Sequence, residues 1–165
     1  MLKLNIGCGE DYKQSTDKEQ WINIDVRTDV KTDLISSSED LHEIYENKVD
    51  YILAQDVLEH IEYHKDCKTL WLDSLKSWIR CLKLNAGIIR IQVPSAYCIF
   101  RKFEDGWIDE EEMNNLIFGW NMAERKHYQL FSIGRLKTTL RNLGCVITYE
   151  ERLNICAIVE ARRII

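Results

Sequence analysis

Short apolar segments recur along the chain and are separated by turn residues. The first, Leu2–Ile6, alternates apolar and polar positions and is stopped by Gly7-Cys8-Gly9, which is typical of a strand. Similar patterns predict further strands at Trp21–Asp25, Asp33–Ile35, Val49–Ala54, Ile88–Val93, Cys145–Tyr149 and Ile155–Ala161. A β-sheet is therefore expected at the centre of the fold.

Helical spacing of apolar residues fills several of the gaps between these strands. The clearest case is Asp66–Lys83, whose apolar residues recur every three or four positions until Asn85-Ala86-Gly87 ends the pattern. A short helix is predicted at Leu41–Glu46. Asp109 and Ser132 are expected to cap two later helices, because their side chains can accept the first unpaired backbone N–H groups.

Strands that alternate with helices predict an α/β fold with a mainly parallel sheet covered on both faces. We expect about six or seven strands in a Rossmann-like arrangement. The last strand should run antiparallel, because its connection to the preceding strand is too short for a parallel crossover. With 165 residues, the chain is predicted to form a single domain over 1–165.

Composition and charge limit the function further. The chain has 22 basic and 27 acidic residues and a formal net charge of -5, which disfavours nucleic acid as a partner. It has no apolar run long enough for a membrane span and no signal-peptide pattern. Its six cysteines form no C-x-x-C pair, so we expect reduced thiols and a cytoplasmic protein. Trp107, Phe118 and Trp120 favour either a pocket or a homodimer contact.

The residues that follow the early strands are the first candidates for a ligand site, since parallel sheets bind ligands beyond the carboxyl ends of their strands. Gly7-Cys8-Gly9 follows the first strand, but Tyr12 replaces the third glycine of the dinucleotide fingerprint. Asp25 ends the second strand, where a carboxylate can bind ribose hydroxyls. Each feature is also compatible with an ordinary turn or helix cap.

A third candidate segment follows the fourth strand. Asp56, Glu59 and His60 would share one face if this segment forms a helical turn. They would then offer acid, base or metal-ligand groups at the ligand edge of the sheet. The alternative is a helix start with favourably placed acids and a structural histidine.

The order of these segments resembles the class I S-adenosylmethionine-dependent methyltransferases, and most closely the small bacterial and viral group of such proteins. The stretches that carry the resemblance are K-L-N-I-G-C-G, W-I-N-I-D, D-L-I, V-D-Y-I-L-A-Q-D-V-L-E-H-I, L-K-L-N-A-G-I-I-R-I-Q-V-P and L-R-N-L-G-C-V-I. They extend over nearly the whole chain. Three departures are Asp11 in place of the usual third glycine, Asn5 in place of the acid that often precedes the glycines, and a short crossover after Gly9.

The resemblance implies S-adenosylmethionine as the cofactor and assigns residues to its parts. The loop around Asn5, Gly7, Cys8 and Gly9 would hold the methionine portion, and Asp25 the ribose. Asp33 and Leu34, taken as following the third strand, would contact the adenine. Gln55 and Asp56 would face the methionine amino group and the substrate.

The implied reaction is an in-line methyl transfer to a small-molecule or glycan-type acceptor. Because a sulfonium is a good leaving group, the protein mainly positions the reactants, and an acceptor O–H or N–H also needs a base. The candidates are Asp56, His60 and His127. In related O-methyltransferases an acid-x-x-Glu-His segment binds a metal, but no metal is assigned here. The alternatives are a non-catalytic methyltransferase-like binding module and, less favoured, a nicotinamide oxidoreductase.

Overall fold

The computed structural model describes residues 1–62, 70–119 and 126–165. Within these ranges seven strands form one sheet: β1 (Leu2–Ile6), β2 (Gln20–Asp25), β3 (Leu34–Ile35), β4 (Tyr51–Gln55), β5 (Ile88–Pro94), β6 (Cys145–Leu153) and β7 (Cys156–Arg163). Their order in the sheet is β3-β2-β1-β4-β5-β7-β6. The last strand, β7, runs antiparallel to both of its neighbours, β5 and β6, as the sequence predicts.

Two of the described helices begin at the expected capping residues. Asp109 accepts a hydrogen bond from the backbone N–H of Glu112, and Ser132 accepts one from that of Arg135. Gly144 follows the last helix with a positive φ of 82°. The helices are α1 (Leu41–Tyr45), α2 (Leu70–Cys81), α3 (Ala96–Glu104), α4 (Glu110–Phe118) and α5 (Ile133–Asn142).

Two differences from the prediction concern helices. Helix α3 was not expected, and it begins at Ser95, whose hydroxyl accepts a hydrogen bond from the N–H of Cys98. The predicted helix Asp66–Lys83 is confirmed from Leu70 to Cys81, while residues 66–69 lie outside the described ranges. That residues 1–165 form a single domain stays a prediction.

The core lies between the sheet and the flanking helices. Trp78 of α2 is fully buried, and its indole N–H donates to the carbonyl of Ser38 at 2.9 Å. Trp71 packs edge-on against Phe131, with ring centroids 5.4 Å apart. A second buried cluster joins α3 and α4 through Ile99, Ile108 and Ile117.

A buried polar network holds the segment after β1, where residues 10–19 contain no helix. Asn23 is fully buried, and its side-chain oxygen accepts hydrogen bonds from the backbone N–H of Lys13 and the amide of Asn5. The Asn5 amide also donates to the carbonyl of Asp11 at 2.7 Å. These bonds satisfy the buried polar groups and fix the short crossover.

Gly134 is a glycine at which there is space for an added Cβ. An added Cβ at Gly134, in the first turn of α5, has no heavy atom within 4 Å, and the residue is exposed. We therefore expect Gly134→Ala to raise the free energy of unfolding by about 0.5 kcal/mol, since alanine loses less backbone entropy in a helix. Urea unfolding of both proteins tests this expectation, and a destabilised variant would contradict the described surroundings of Gly134.

Candidate active site at the carboxyl edge of the sheet

The glycine turn after β1 is packed directly against the segment that follows β4. Gly7 and Gly9 have φ values of 64° and 49°, which favour glycine. A Cβ on Gly7 would lie 2.5 Å from Cγ2 and 2.8 Å from Cβ of Val57. Cys8 between them is buried, and burial raises the pKa of its thiol to about 11, so it is not a reactive thiolate.

Asp25 ties the end of β2 to this turn. Its Oδ2 accepts a hydrogen bond from the N–H of Gly9 at 2.8 Å, and Oδ1 accepts one from the N–H of Arg27 at 3.0 Å. Asp25 is 8% exposed, and the Arg27 guanidinium lies 3.7 Å from its Oδ1. A carboxylate has about four lone-pair positions, so two hydrogen bonds leave capacity for the two hydroxyls of a ribose.

Asp33 and Leu34, the predicted adenine contacts, do not lie beyond the carboxyl end of a strand as the other candidates do. Asp33 precedes β3 and does not follow it, because Leu34 pairs with Ile24 in the sheet register. The Asp33 carboxylate accepts hydrogen bonds from Asn23 at 2.8 Å and from the Tyr12 hydroxyl at 2.6 Å. The prediction that these residues come after the third strand is therefore wrong. The residues that reach the carboxyl edge there are Ser36 and Ser37.

Asp56 stands immediately after β4 with a positive φ of 50°. Its N–H donates to the carbonyl of Gln92, and the Gln92 amide donates to Oδ2 at 2.9 Å. The carboxylate reaches solvent, yet crowding by surrounding atoms raises the pKa of Asp56, an effect opposed by the Gln92 bond and by His60. Gln55 precedes it at the end of β4, in register with Gln92.

The segment after Asp56 is a single 3-10 turn, Leu58–His60. Asp56 is exposed whereas Glu59 is only 1% exposed, so the two carboxylates do not share a face as predicted. Burial, with a smaller contribution from Asp56, raises the pKa of Glu59 well above its ordinary value.

The two candidate histidines are brought together by chain segments distant in sequence. The rings of His60 and His127 meet edge to face with centroids 4.8 Å apart. Nδ1 of His60 lies 3.1 Å from the carbonyl oxygen of Lys126, and Nδ1 of His127 lies 3.1 Å from that of Leu116. Burial and the neighbouring His60 lower the pKa of His127, so its imidazole favours the neutral form.

A groove of about 440 Å³ opens farther along the same edge, between α3 and the turn that joins β6 to β7. The Arg152 guanidinium lies over the Tyr97 ring at 5.3 Å, and Lys102 donates to the Asn154 side chain. Trp107 is 76% exposed at this groove. Its lining consists of Tyr97, Cys98, Arg101, Lys102, Asp105, Trp107, Arg152 and Asn154.

Cys156 connects Asp56 with the groove residue Cys98. The thiol of Cys156, the first residue of β7, lies 4.0 Å from Oδ1 of Asp56. Burial raises the pKa of Cys156 to about 12, with smaller contributions from Asp56, Glu59 and the groove residue Cys98.

Comparison with known proteins gives one kind of match. Neither a protein-family model nor a curated protein matches the chain. A solved S-adenosylmethionine-dependent methyltransferase from Archaeoglobus fulgidus is 14% identical, with a TM-score of 0.65 over 98% of this chain and 86% of its own. Another from Methanosarcina mazei is 14% identical, with a TM-score of 0.63 over 99% and 92%.

The Burkholderia thailandensis 1,6-didemethyltoxoflavin-N1-methyltransferase, solved with 1,6-didemethyltoxoflavin and S-adenosylhomocysteine bound, is also similar. It is 15% identical, with a TM-score of 0.63 over 99% of this chain and 71% of its own. The chain has the class I methyltransferase fold. This confirms the predicted fold, including the Rossmann-like sheet and the antiparallel β7. The fold places Gly7, Gly9, Asp25 and Asp56 at one edge of β1, β2 and β4.

Sequence reasoning missed residues whose roles depend on register or on distant packing. Gln92 orients Asp56 only because β4 and β5 pair in this register, and Arg27 reaches Asp25 only through the turn after β2. Val57 was missed because its close packing against Gly7 joins segments that are distant in sequence. The signal in the sequence was a glutamine at or near the end of each of two neighbouring strands, Gln55 and Gln92. The described ranges contain no helix long and apolar enough to cross a membrane.

Proposed function

We propose that the protein is an S-adenosylmethionine-dependent methyltransferase that acts on a small-molecule or glycan-type acceptor. The observation that carries this proposal is the hydrogen bond from the Gly9 N–H to Asp25, which joins the glycine turn to the acid at the end of β2. A ribose-binding acid beside a glycine turn is what an adenosyl group requires at this edge.

The described residues fit that cofactor. The close approach of Gly7 to Val57 keeps the turn tight, so that backbone can lie close to a ligand. Asp25 retains lone pairs that can accept hydrogen bonds from the ribose hydroxyls. Asn5, just before the turn, is held by the hydrogen bond from its side-chain amide to Asn23. The roles of Asn5, Cys8, Asp33, Leu34 and Gln55 stay predictions. When bound, the cofactor supplies a methyl group on a sulfonium leaving group.

Asp56 is the best-placed base. Gln92 fixes its carboxylate by one hydrogen bond to Oδ2, and the backbone at Asp56 is fixed by a second bond to Gln92. Its carboxylate can therefore accept the proton of an acceptor hydroxyl or amine that is held beside it. His127, kept neutral by burial, is the second candidate, and His60 orients it through the ring contact.

The groove suggests how an acceptor is recognised. It is lined by three cationic side chains, Arg101, Lys102 and Arg152, against one carboxylate, Asp105. On a chain with a formal net charge of -5, this local excess of positive charge favours an anionic group on the acceptor. The exposed side chains of Tyr97 and Trp107 favour a planar or sugar ring beside it.

A non-catalytic module with the same cofactor site is the second candidate, because the third glycine and the first helix of the usual pattern are absent from residues 7–19. The cytoplasmic location, the homodimer and the absence of nucleic-acid partners stay predictions from the sequence. The two functions differ in turnover and not in cofactor binding.

Turnover in a screen of acidic small-molecule and glycan acceptors separates the two candidates. We expect Asp56→Asn to lower kcat by about 100-fold or more, which is the range for removal of a positioned base. The dissociation constant for S-adenosylhomocysteine is measured on the same variant, because Asp56 is also predicted to face the methionine amino group. A loss of kcat at saturating cofactor then reports the loss of the base. Asp17→Asn, at an exposed residue of the crossover, is the matched control.

Two results would contradict the proposal. If Asp56→Asn retains full turnover, Asp56 is not the base. If the wild-type protein binds S-adenosylhomocysteine but turns over no acceptor, the binding-module candidate replaces the enzyme.

A further inference from the structure

The groove between α3 and the turn that joins β6 to β7 contains two cationic side chains without a carboxylate partner. Lys102 donates a hydrogen bond to the side chain of Asn154, and the Arg152 guanidinium lies 5.3 Å from the centre of the Tyr97 ring. Within the described ranges neither cation forms an ion pair. An ammonium has three N–H donors and a guanidinium five, so both cations have donors left for a ligand.

Arg101 is the third cation of the groove. It donates to the Tyr97 hydroxyl at 3.1 Å, and its Nε lies 3.6 Å from Oδ2 of Asp105. Arg101 and Lys102 belong to the last turn of α3, where the helix dipole favours positive charge. Arg152 belongs to β6, so the dipole of α3 does not explain why an arginine is there. Cations that converge from two elements favour a bound anion.

The two walls of the groove are joined through the backbone. The N–H of Ser95, the residue that caps α3, donates to the carbonyl of Ile155 in the turn between β6 and β7 at 2.8 Å. Ile155 also packs against the buried cluster of Ile99, Ile108 and Ile117. The elements that carry the cations are therefore fixed before a ligand arrives, which lowers the cost of binding.

Two exposed aromatic side chains complete the groove. Trp107 is 76% exposed and Tyr97 is 55% exposed, although burial of a large aromatic side chain is favourable. The N–H of Trp107 donates to the carbonyl of Lys102 at 2.9 Å, which holds the two residues side by side. A ring that lies on these side chains would bury their apolar surface while an anionic substituent reaches the cations.

We propose that this groove binds a phosphomonoester carried by a sugar or nucleoside ring. A phosphomonoester has a charge of about -1.5 to -2 at pH 7, which matches several cations better than the single charge of a carboxylate. Its oxygens also suit the forked donors of a guanidinium. Binding of this ligand depends on none of the residues assigned to the cofactor. That the bound compound is the methyl acceptor rests on the proposed function.

Calorimetry with glucose 1-phosphate and with uridine monophosphate tests the site. Glucose, uridine and glucuronate are the matched ligands without a phosphate. We expect one equivalent of at least one of the two phosphates to bind, at least about 100-fold more tightly than its parent compound, as two hydrogen bonds between charged groups require. If neither phosphate binds to the folded protein, or if glucuronate binds as tightly, the proposal is wrong.

Two variants change the affinity in opposite directions. Arg152→Ala should weaken binding of the phosphate compound by about 10–100-fold, the range for one hydrogen bond between charged groups. Asp105→Asn should tighten it by about two- to fivefold, because it removes the carboxylate that competes for Arg101. A variant that has lost its fold would not bind more tightly. Lys76→Ala, which removes an exposed cation of α2 that pairs with Asp73, is the control and should leave the affinity unchanged.

Fluorescence shows whether the ring lies on Trp107. The phosphate compound should change the emission of the wild-type protein, and Trp107→Phe should lose this change while calorimetric binding remains. Unchanged affinity in both Arg152→Ala and Asp105→Asn would overturn the groove as the site. Binding of S-adenosylhomocysteine is measured on the same samples, so that its absence beside intact phosphate binding contradicts only the proposed function.

Discussion

Gly7→Ala is expected to lower the free energy of unfolding by about 2–5 kcal/mol, the sum of a positive-φ strain of about 1–2 and overpacking of about 1–3 kcal/mol. The new Cβ would lie 2.5 Å from Val57 Cγ2. It would also lie 2.8 Å from Val57 Cβ, which is fixed to the backbone and cannot rotate away. Any relief must displace the backbone beside Asp56, so S-adenosylhomocysteine binding should also be lost.

Gly106→Ala is the matched control for this effect. Gly106 also has a positive φ, 72°, but an added Cβ there meets no heavy atom within 4 Å. The Gly106→Ala substitution should lower the free energy of unfolding only by the backbone strain of about 1–2 kcal/mol and leave cofactor binding unchanged. Denaturant unfolding and calorimetry on both variants make the comparison. Equal losses of stability would show that the contact between Gly7 and Val57 contributes nothing.

Asp25→Ala is expected to weaken binding of S-adenosylhomocysteine by at least about 100-fold, which corresponds to about 2.7 kcal/mol. The variant removes the acceptor for the ribose hydroxyls. It also leaves the N–H groups of Gly9 and Arg27 without their present acceptor, at about 1–3 kcal/mol for each one that water cannot reach. The glycine turn therefore loses its anchor together with its ligand group.

Asp50→Ala separates these two effects. Asp50 accepts a hydrogen bond from the N–H of Leu2 at 2.7 Å and pairs with Lys83, but it lies at the opposite edge of the sheet. Its removal should lower stability and leave the affinity for S-adenosylhomocysteine unchanged. A similar loss of affinity in both variants would mean that Asp25 acts through general stability and not as a ligand group.

Much of the fold could be predicted because local and global signals agree. The strands β1, β2 and β5 combine apolar alternation with a glycine, an acid or a proline at their ends, and α5 has both a serine cap and a glycine stop. Helix α3 was missed because its aromatic residues face outward. Tyr97 and Phe100 are 55% and 47% exposed, so the buried face of Cys98 and Ile99 gives a weak helical pattern.

The candidate site was predictable only where a residue is close to a strand end. Asp25 and Asp56 follow clear strands and lie at the predicted edge. Asp33 was misplaced because β3 has two residues, and no pattern of that length fixes register. The ring contact between His60 and His127 joins residues far apart in sequence, and the periodicity of the sequence does not encode it.

Calorimetric titration of the wild-type protein with S-adenosylhomocysteine, in parallel with NADH, tests the central claim most directly. The described edge of β1, β2 and β4 predicts saturable binding of one equivalent of S-adenosylhomocysteine in the micromolar range and no comparable binding of NADH. Tight NADH binding, or the absence of any S-adenosylhomocysteine binding by the folded protein, would contradict the account.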